Sequence, residues 1–504
     1  MLKADLVVIV VMSAMILVTG GCGGGSSSSS SSTQPPPFSN ATLNGLYAFT
    51  AGAVTDVITS SGFYLIAGNL QADGNGHITT GTEDINSESL GVLQNVPLTG
   101  MYSVGADGRG SATITSPNGT STFRFIVVSN SRAFIIEFDN LAGLNGSLEK
   151  QDPTALTNSA LNGSYAFTVG GSANGGLYPF QIIGTFPMDG AGTIPSGTED
   201  TNAFGRLSML QPISGTYTVG SSGRGTLTLN GSFPGVGSQL HFSVYVLSAT
   251  KIRMLSLEPY LVVSATAERQ EAASFSASNL SGDYVLFGAG ATTITVGRFS
   301  ADGLGGINSG FEDQNGIPPP ITVAFSGAYS LSSNGRGTVM LTPSVGAPVN
   351  YIFYAVSSDR AFAMGTDTFE VPIATVVRQQ GGSLSTGTLT GNYAFVIGGG
   401  TLTGIIDIVG QLLPNGTGNL SGTQDVRQGT TLSLGASLSG TYSVSGNGRG
   451  TATISSGGGT SNFVFYLAAC SVNQPCGSTG NSPTPLILGV DSGTLANGKA
   501  EKQF

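Results

Sequence analysis

One segment is written four times along this chain, and that repetition limits what the chain can fold into. Each copy opens on Leu-x-Gly-x-Tyr, at Leu43, Leu161, Leu280 and Leu389. Each carries a Gly-Arg-Gly turn in its middle, with Arg109, Arg224, Arg336 and Arg449. Each closes on a basic residue and Gln: Lys150-Gln151, Arg269-Gln270, Arg378-Gln379 and Lys502-Gln503. A period of this length is that of an independent domain, longer than the 20–50 residues of a solenoid repeat. The boundaries read as β repeats over 41–151, 160–270, 279–380 and 388–504, joined in series by short segments poor in large apolar residues.

Within a copy the pattern is that of strands. In 438–444, Leu438, Tyr442 and Val444 alternate with small and hydroxyl residues, which places them on one face of a strand. Tyr102, Tyr217 and Tyr329 occupy the matching place in the other copies. Gly, Asn and Asp separate such stretches, and no sustained helical period with caps interrupts them. Eight strands per copy, mostly joined by short turns, predict an antiparallel meander. The fold class is all-β, either four small up-and-down barrels or four two-sheet sandwiches. Closure into barrels would remove exposed sheet edges.

The N-terminal region reads as an address. Leu6 to Val18 is an apolar run behind Lys3, too short for the about 20 residues of a membrane-spanning helix but suited to a secretory signal. Cys22 follows two glycines, then a Ser-rich stretch and Pro35 to Pro37. Small residues before Cys22 resemble the lipobox of bacterial lipoproteins, and the resemblance implies that Cys22 takes a lipid and becomes the first residue. It departs from the lipobox in having Thr19 where Leu is usual. Residues 1–21 are then a signal peptide and 22–40 a flexible tether. The expected location is the cell envelope, at the outer membrane or cell surface, with a lipid anchor as the membrane partner. The other two cysteines, Cys470 and Cys476, fall in an insertion found only in copy four, and in an oxidising compartment they are expected to form a disulfide.

Each copy also resembles the calycin group, lipocalins and avidins, whose first strand carries Gly-x-Trp. Here Tyr47, Tyr165, Tyr284 and Tyr393 stand at the Trp position. The resemblance implies that Lys150, Arg269, Arg378 and Lys502 pack over those rings. The chain has no Trp, and the resemblance implies no ligand. Lipobox, tether and beads together look like uncharacterised bacterial surface lipoproteins.

Several functions are disfavoured. With 18 Lys and Arg in 504 residues and a net charge of −10, no basic stripe is available for nucleic acid. The run 73–78 suggests a calcium loop, yet setting Gly76 at the sixth position puts Gln71 first and Thr82 twelfth, so it reads as a hairpin turn. His77 and His241 are the two histidines, and no copy holds both. A Ser-His-Asp or zinc site repeated across the array is therefore excluded. The expectation is no enzyme, no cofactor and no metal.

Glu83-Asp84, Glu199-Asp200 and Glu312-Asp313, with Gln424-Asp425 as the fourth, are adjacent on strands and point to opposite faces. The Asp is expected to cap a turn or to pair with the Gly-Arg-Gly arginine as a clamp inside each bead. Two roles remain open on sequence grounds. One is a structural or adhesive surface protein. The other is a multivalent array whose beads each hold an extracellular glycan or small apolar molecule.

Overall fold

The computed structural model describes residues 37–504, except 54–62, 89, 140–142, 174–177, 204, 291, 317–319, 368–369, 402–403, 458 and 470–481. Cys22, Cys470 and Cys476 lie outside the described residues.

Each copy is a closed barrel of eight antiparallel strands. In barrel 1 the first strand is Asn44–Ala53 and the eighth Asn145–Lys150; they pair directly and close the sheet. The corresponding closing pairs are Asn162–Ala173 with Leu261–Arg269, Ser281–Ala289 with Ile373–Arg378, and Tyr393–Thr401 with Thr494–Lys502. The described residues contain no α-helix; short 3-10 turns such as Asn40–Thr42 lead into the barrels.

Period-two patterning fills each barrel. Tyr47, Phe49, Leu98, Tyr102 and Phe125 are buried together in barrel 1. Tyr165, Phe167, Phe186, Tyr217 and Phe242 do the same in barrel 2. The second tyrosine closes one end: the Tyr102 hydroxyl donates to the Leu43 carbonyl at 2.7 Å. Tyr217, Tyr329 and Tyr442 do likewise to Leu161, Leu280 and Leu389 at 3.0, 2.8 and 2.9 Å. The first tyrosine sits opposite the basic residue of the eighth strand in all four barrels. Lys150 Nζ is 5.8 Å from the Tyr47 ring centroid and the Arg378 guanidinium 4.5 Å from that of Tyr284.

The barrels are not beads in series, as the repeat spacing suggests. Strands one to three of barrel 1 pack on strands six to eight of barrel 2. Barrels 2 and 3, then 3 and 4, meet through the same faces. The first two strands of barrel 4 then pack on the sixth to eighth strands of barrel 1. A head-to-tail contact whose rotation closes generates a ring, and here it closes within one chain after four units. Each seam buries its own apolar cluster. Ile126, Phe134 and Ile136 of barrel 1 pack against Ala394, Val396 and Val409 of barrel 4.

Candidate functional site

Two motifs that the repeat keeps prove to be halves of one contact. The Gly-Arg-Gly turn of each barrel faces the preceding barrel around the ring. Arg224 of barrel 2 grips Asp84 of barrel 1 through Nε–Oδ2 at 2.9 Å and Nη2–Oδ1 at 2.6 Å. Arg336 grips Asp200 at 2.8 and 2.7 Å, and Arg449 grips Asp313 at the same distances. The clamp expected inside each bead therefore lies between beads. The aspartates are buried, and each accepts a further bond from a tyrosine of the same neighbour: Tyr245 at 2.5 Å, Tyr354 at 2.7 Å and Tyr466 at 2.6 Å. Beside the buried carboxylates those tyrosine hydroxyls are pushed far above their usual range, by burial first and then by the aspartate charge. Two of these aspartates also cap a turn of their own barrel. Asp84 accepts from the Asn95 backbone at 2.6 Å and Asp200 from that of Leu210 at 3.0 Å.

The terminal glutamines supply the other half. Gln151 Nε2 donates to the Val246 carbonyl at 2.7 Å, next to Gly223. Gln270, Gln379 and Gln503 donate to Ala355, Asn447 and Val127 at 2.8, 2.5 and 2.7 Å. In each case the amide occupies the space that a side chain on the first Gly of Gly-Arg-Gly would fill: a Cβ on Gly223, Gly335, Gly448 or Gly108 would lie 2.2–2.7 Å from the amide nitrogen. Those glycines also have positive φ, 77 to 87°, which side chains resist. The last of these contacts, Gln503 on Gly108, joins the end of the chain to barrel 1.

The seam between barrels 4 and 1 is built differently. Ile126 stands where the other seams have the tyrosine. Arg109 is drawn to Asp107 of its own turn at 2.7 Å and reaches Asp425 through one contact at 3.4 Å. Arg124 approaches the same carboxylate at 3.4 Å. The position held by Asn86, Asn202 and Asn315, each bonding carbonyls of the next barrel, is taken by Arg427. Arg427 is fully buried, bonds the Asp139 carbonyl at 3.2 Å and lies 3.7 Å from Asp407.

Around the ring axis, a Glu of the eighth strand faces a cation that opens the next barrel's seventh strand at three of the four seams. Glu149 accepts from Lys251 at 2.9 Å, Glu268 meets Arg360 at 2.5 Å, and Glu501 lies 3.3 Å from Arg132. At the remaining seam the Glu is replaced by Val377 and the cation by Thr484, so the pair is lost together. Residues of all four barrels line a central cavity of about 720 Å³ that is open to solvent.

The acid pairs split as the strand period requires. Their aspartates reach the neighbouring barrel, while Glu83 and Glu312 line small cavities inside barrels 1 and 3. Burial pushes Glu199 up to about 8 and Glu312 up to about 7. The histidines stay apart and exposed: His77 pairs with Asp73 at 3.0 Å, and His241 with Glu258 at 2.8 Å. Among the described residues, no group of three His, Cys, Asp or Glu side chains could hold a metal.

Fold and seams together define a single-chain ring of four β-barrels. The sequence matches no protein-family model and no curated protein. Among solved structures it is similar to transferrin-binding protein B of Haemophilus parasuis, in a mutant described as a vaccine antigen, at 9% identity over 76% of this chain and 86% of that one, with a TM-score of 0.21. It is also similar to the isotype 1 transferrin-binding protein B of serogroup B Neisseria meningitidis, at 12% identity over 74% and 84%, with a TM-score of 0.20. At these scores the likeness carries no inference about this chain.

Proposed function

We propose that this chain is a lipid-anchored cell-envelope protein whose four barrels act together as one rigid platform with a structural or adhesive role at the surface. The observation that carries the reading is the closure of the ring: the Gly-Arg-Gly turn, the Asp of the acid pair and the closing Gln, kept in every copy, serve the contacts between barrels. The address rests on the sequence before the barrels, with Cys22 as the lipidated residue and residues 22–40 as the tether. A disulfide between Cys470 and Cys476 belongs to the same reading, since export brings the chain into an oxidising compartment.

Four independent ligand-holding beads have less support. Cavities of about 70, 90 and 60 Å³ lie in barrels 1, 3 and 4, well short of the few hundred Å³ that a small-molecule site needs. Their tyrosines and phenylalanines occupy the space a ligand would require.

The test is Cys22→Ser in the full chain, followed by fractionation and by antibody labelling of intact cells. The reading expects loss from the membrane fraction and loss of surface labelling. Attachment that survives the substitution contradicts the anchor, and labelling seen only after permeabilisation contradicts the surface role.

A further inference from the structure

Lys499 breaks the repeat. Its place on the eighth strand holds hydroxyls in the other barrels, Ser147, Thr266 and Thr375. The barrels carry three more lysines. Lys150 is exposed, Lys502 is half-buried, and Lys251 is buried but held by Glu149 at 2.9 Å. Lys499 is only 8% exposed. Among the described residues its Nζ has no hydrogen bond and no carboxylate within ion-pair distance; it lies 5.1 Å from the Phe134 ring centroid.

The surroundings oppose a charge on this amine. Arg132, Lys251 and Arg253 gather with it around two carboxylates, Glu149 and Glu501. Glu149 is already taken by Lys251 at 2.9 Å and Arg253 at 2.6 Å, and Glu501 lies 3.3 Å from Arg132. The neighbouring Glu268 and Arg360 offset each other, as do Asp407 and Arg427. A protonated Lys499 is then a fourth cation among two anions. Burying an unpaired ammonium is costly, and the amine escapes the cost by giving up its proton. Burial first, and then the Arg132 charge, accordingly hold Lys499 well below the usual lysine range; Arg253 acts in the same direction, and Glu501 and Glu149 against it.

The amine is also within reach. Lys499 lines the central cavity. Arg253 Nε and the three side-chain nitrogens of Arg132 are sealed from solvent, whereas Nζ of Lys499 is not. An uncharged primary amine, desolvated and set beside other cations, is the state in which lysine attacks carbonyl carbon. The cavity volume falls within the roughly 300–1,000 Å³ of small-molecule sites.

We propose that the central cavity takes a small aldehyde as an imine on Lys499. The Nζ lone pair forms the bond to the carbonyl carbon. The two N–H protons leave with the carbonyl oxygen as water, and the nitrogen and carbon are left joined by a double bond. This goes beyond the platform reading and does not depend on the lipid anchor.

The experiment is reductive trapping on the full chain in detergent, with propionaldehyde and cyanoborohydride. Hydride converts the imine to a stable secondary amine, which peptide mass spectrometry locates. Free Nα-acetyl-lysine amide in the same tube is the reference and cancels the pH dependence of the reagents. At pH 7 Lys499 is expected to react at least about tenfold faster than the reference. A free lysine side chain titrates near 10.4, so its uncharged fraction rises by about a hundredfold from pH 7 to pH 9. Lys499, already uncharged, gains little, and the ratio of the two rates is expected to fall by about tenfold or more. No adduct on Lys499 overturns the proposal. So does a ratio that stays the same at pH 7 and pH 9, which is the behaviour of an ordinary lysine packed on Phe134.

Discussion

Arg224 holds Asp84 by two parallel hydrogen bonds across the boundary between two barrels, 140 residues apart in the chain. The carboxylate is fully buried and its three side-chain donors all come from barrel 2, the third being Tyr245 at 2.5 Å. Planar two-point pairing suits Arg and not Lys. The same unit recurs at the next two seams, so the seams are built from a charge that neither barrel could bury alone.

Removing the guanidinium should expose that dependence. Arg224→Met leaves Asp84 buried and unpaired, which costs about 3–5 kcal/mol for a buried pair broken on one side. Asp84→Asn in the same background should return part of the loss. Chemical denaturation of the single and double variants measures both. Equal losses in the single and double variants would mean the pair is not coupled.

Arg109→Met should cost much less, about 1 kcal/mol or below, because Arg109 reaches Asp425 through one contact at 3.4 Å and is otherwise turned to Asp107. Its side chain is a quarter exposed, where solvent weakens the pair. Comparing the denaturation midpoints of the Arg109 and Arg224 variants checks the ranking.

The eight strands, the inward tyrosines and the glycine turns were legible because each is a local pattern of period two punctuated by Gly, Asn and Asp. The ring was not, for a physical reason. In an exact repeat, a pair satisfied within one copy can equally be satisfied by the next copy, so Arg224 with Asp200 and Arg224 with Asp84 look alike in sequence. Only departures from the repeat separate the two. Val377 loses the Glu in copy three while Thr484 loses the cation in copy four, an offset of one copy that betrays pairing between neighbours. The central cavity was hidden similarly: Arg253 and Lys499 lie on different barrels and come to line one cavity only when the ring closes.

Leu210 stands at φ 55°, in the left-handed region, and is exposed. The matching place after the repeated aspartate is Asn95 at φ 53° in barrel 1 and Gly435 at φ 60° in barrel 4. A branched side chain there costs roughly 1 kcal/mol that Asn largely avoids. Leu210→Asn should therefore raise the denaturation midpoint. An unchanged or lower midpoint would show that Leu210 makes a compensating contact.

Glu199, buried in barrel 2, has its pKa raised to about 8, chiefly by desolvation. Unfolded, it titrates near 4.5. Between these values the native state binds the extra proton, so stability falls as pH rises. The contribution is complete below about pH 4.5 and lost as pH climbs through about 8. Glu199→Gln keeps a neutral group of the same size and should flatten the melting temperature between pH 5 and 8. A slope equal to that of the natural chain would remove Glu199 as its source.

Ring closure is measured most directly by pulsed electron spin resonance between labels at equivalent places in different barrels. Thr113, Thr228 and Thr453 each lie four residues after the clamp arginine of barrels 1, 2 and 4. In a closed ring barrel 1 is a neighbour of both barrel 2 and barrel 4. The Thr113–Thr453 distance should therefore match the Thr113–Thr228 distance within the spread of the labels. A Thr113–Thr453 distance well beyond the Thr113–Thr228 distance would mean an open string and contradict the ring.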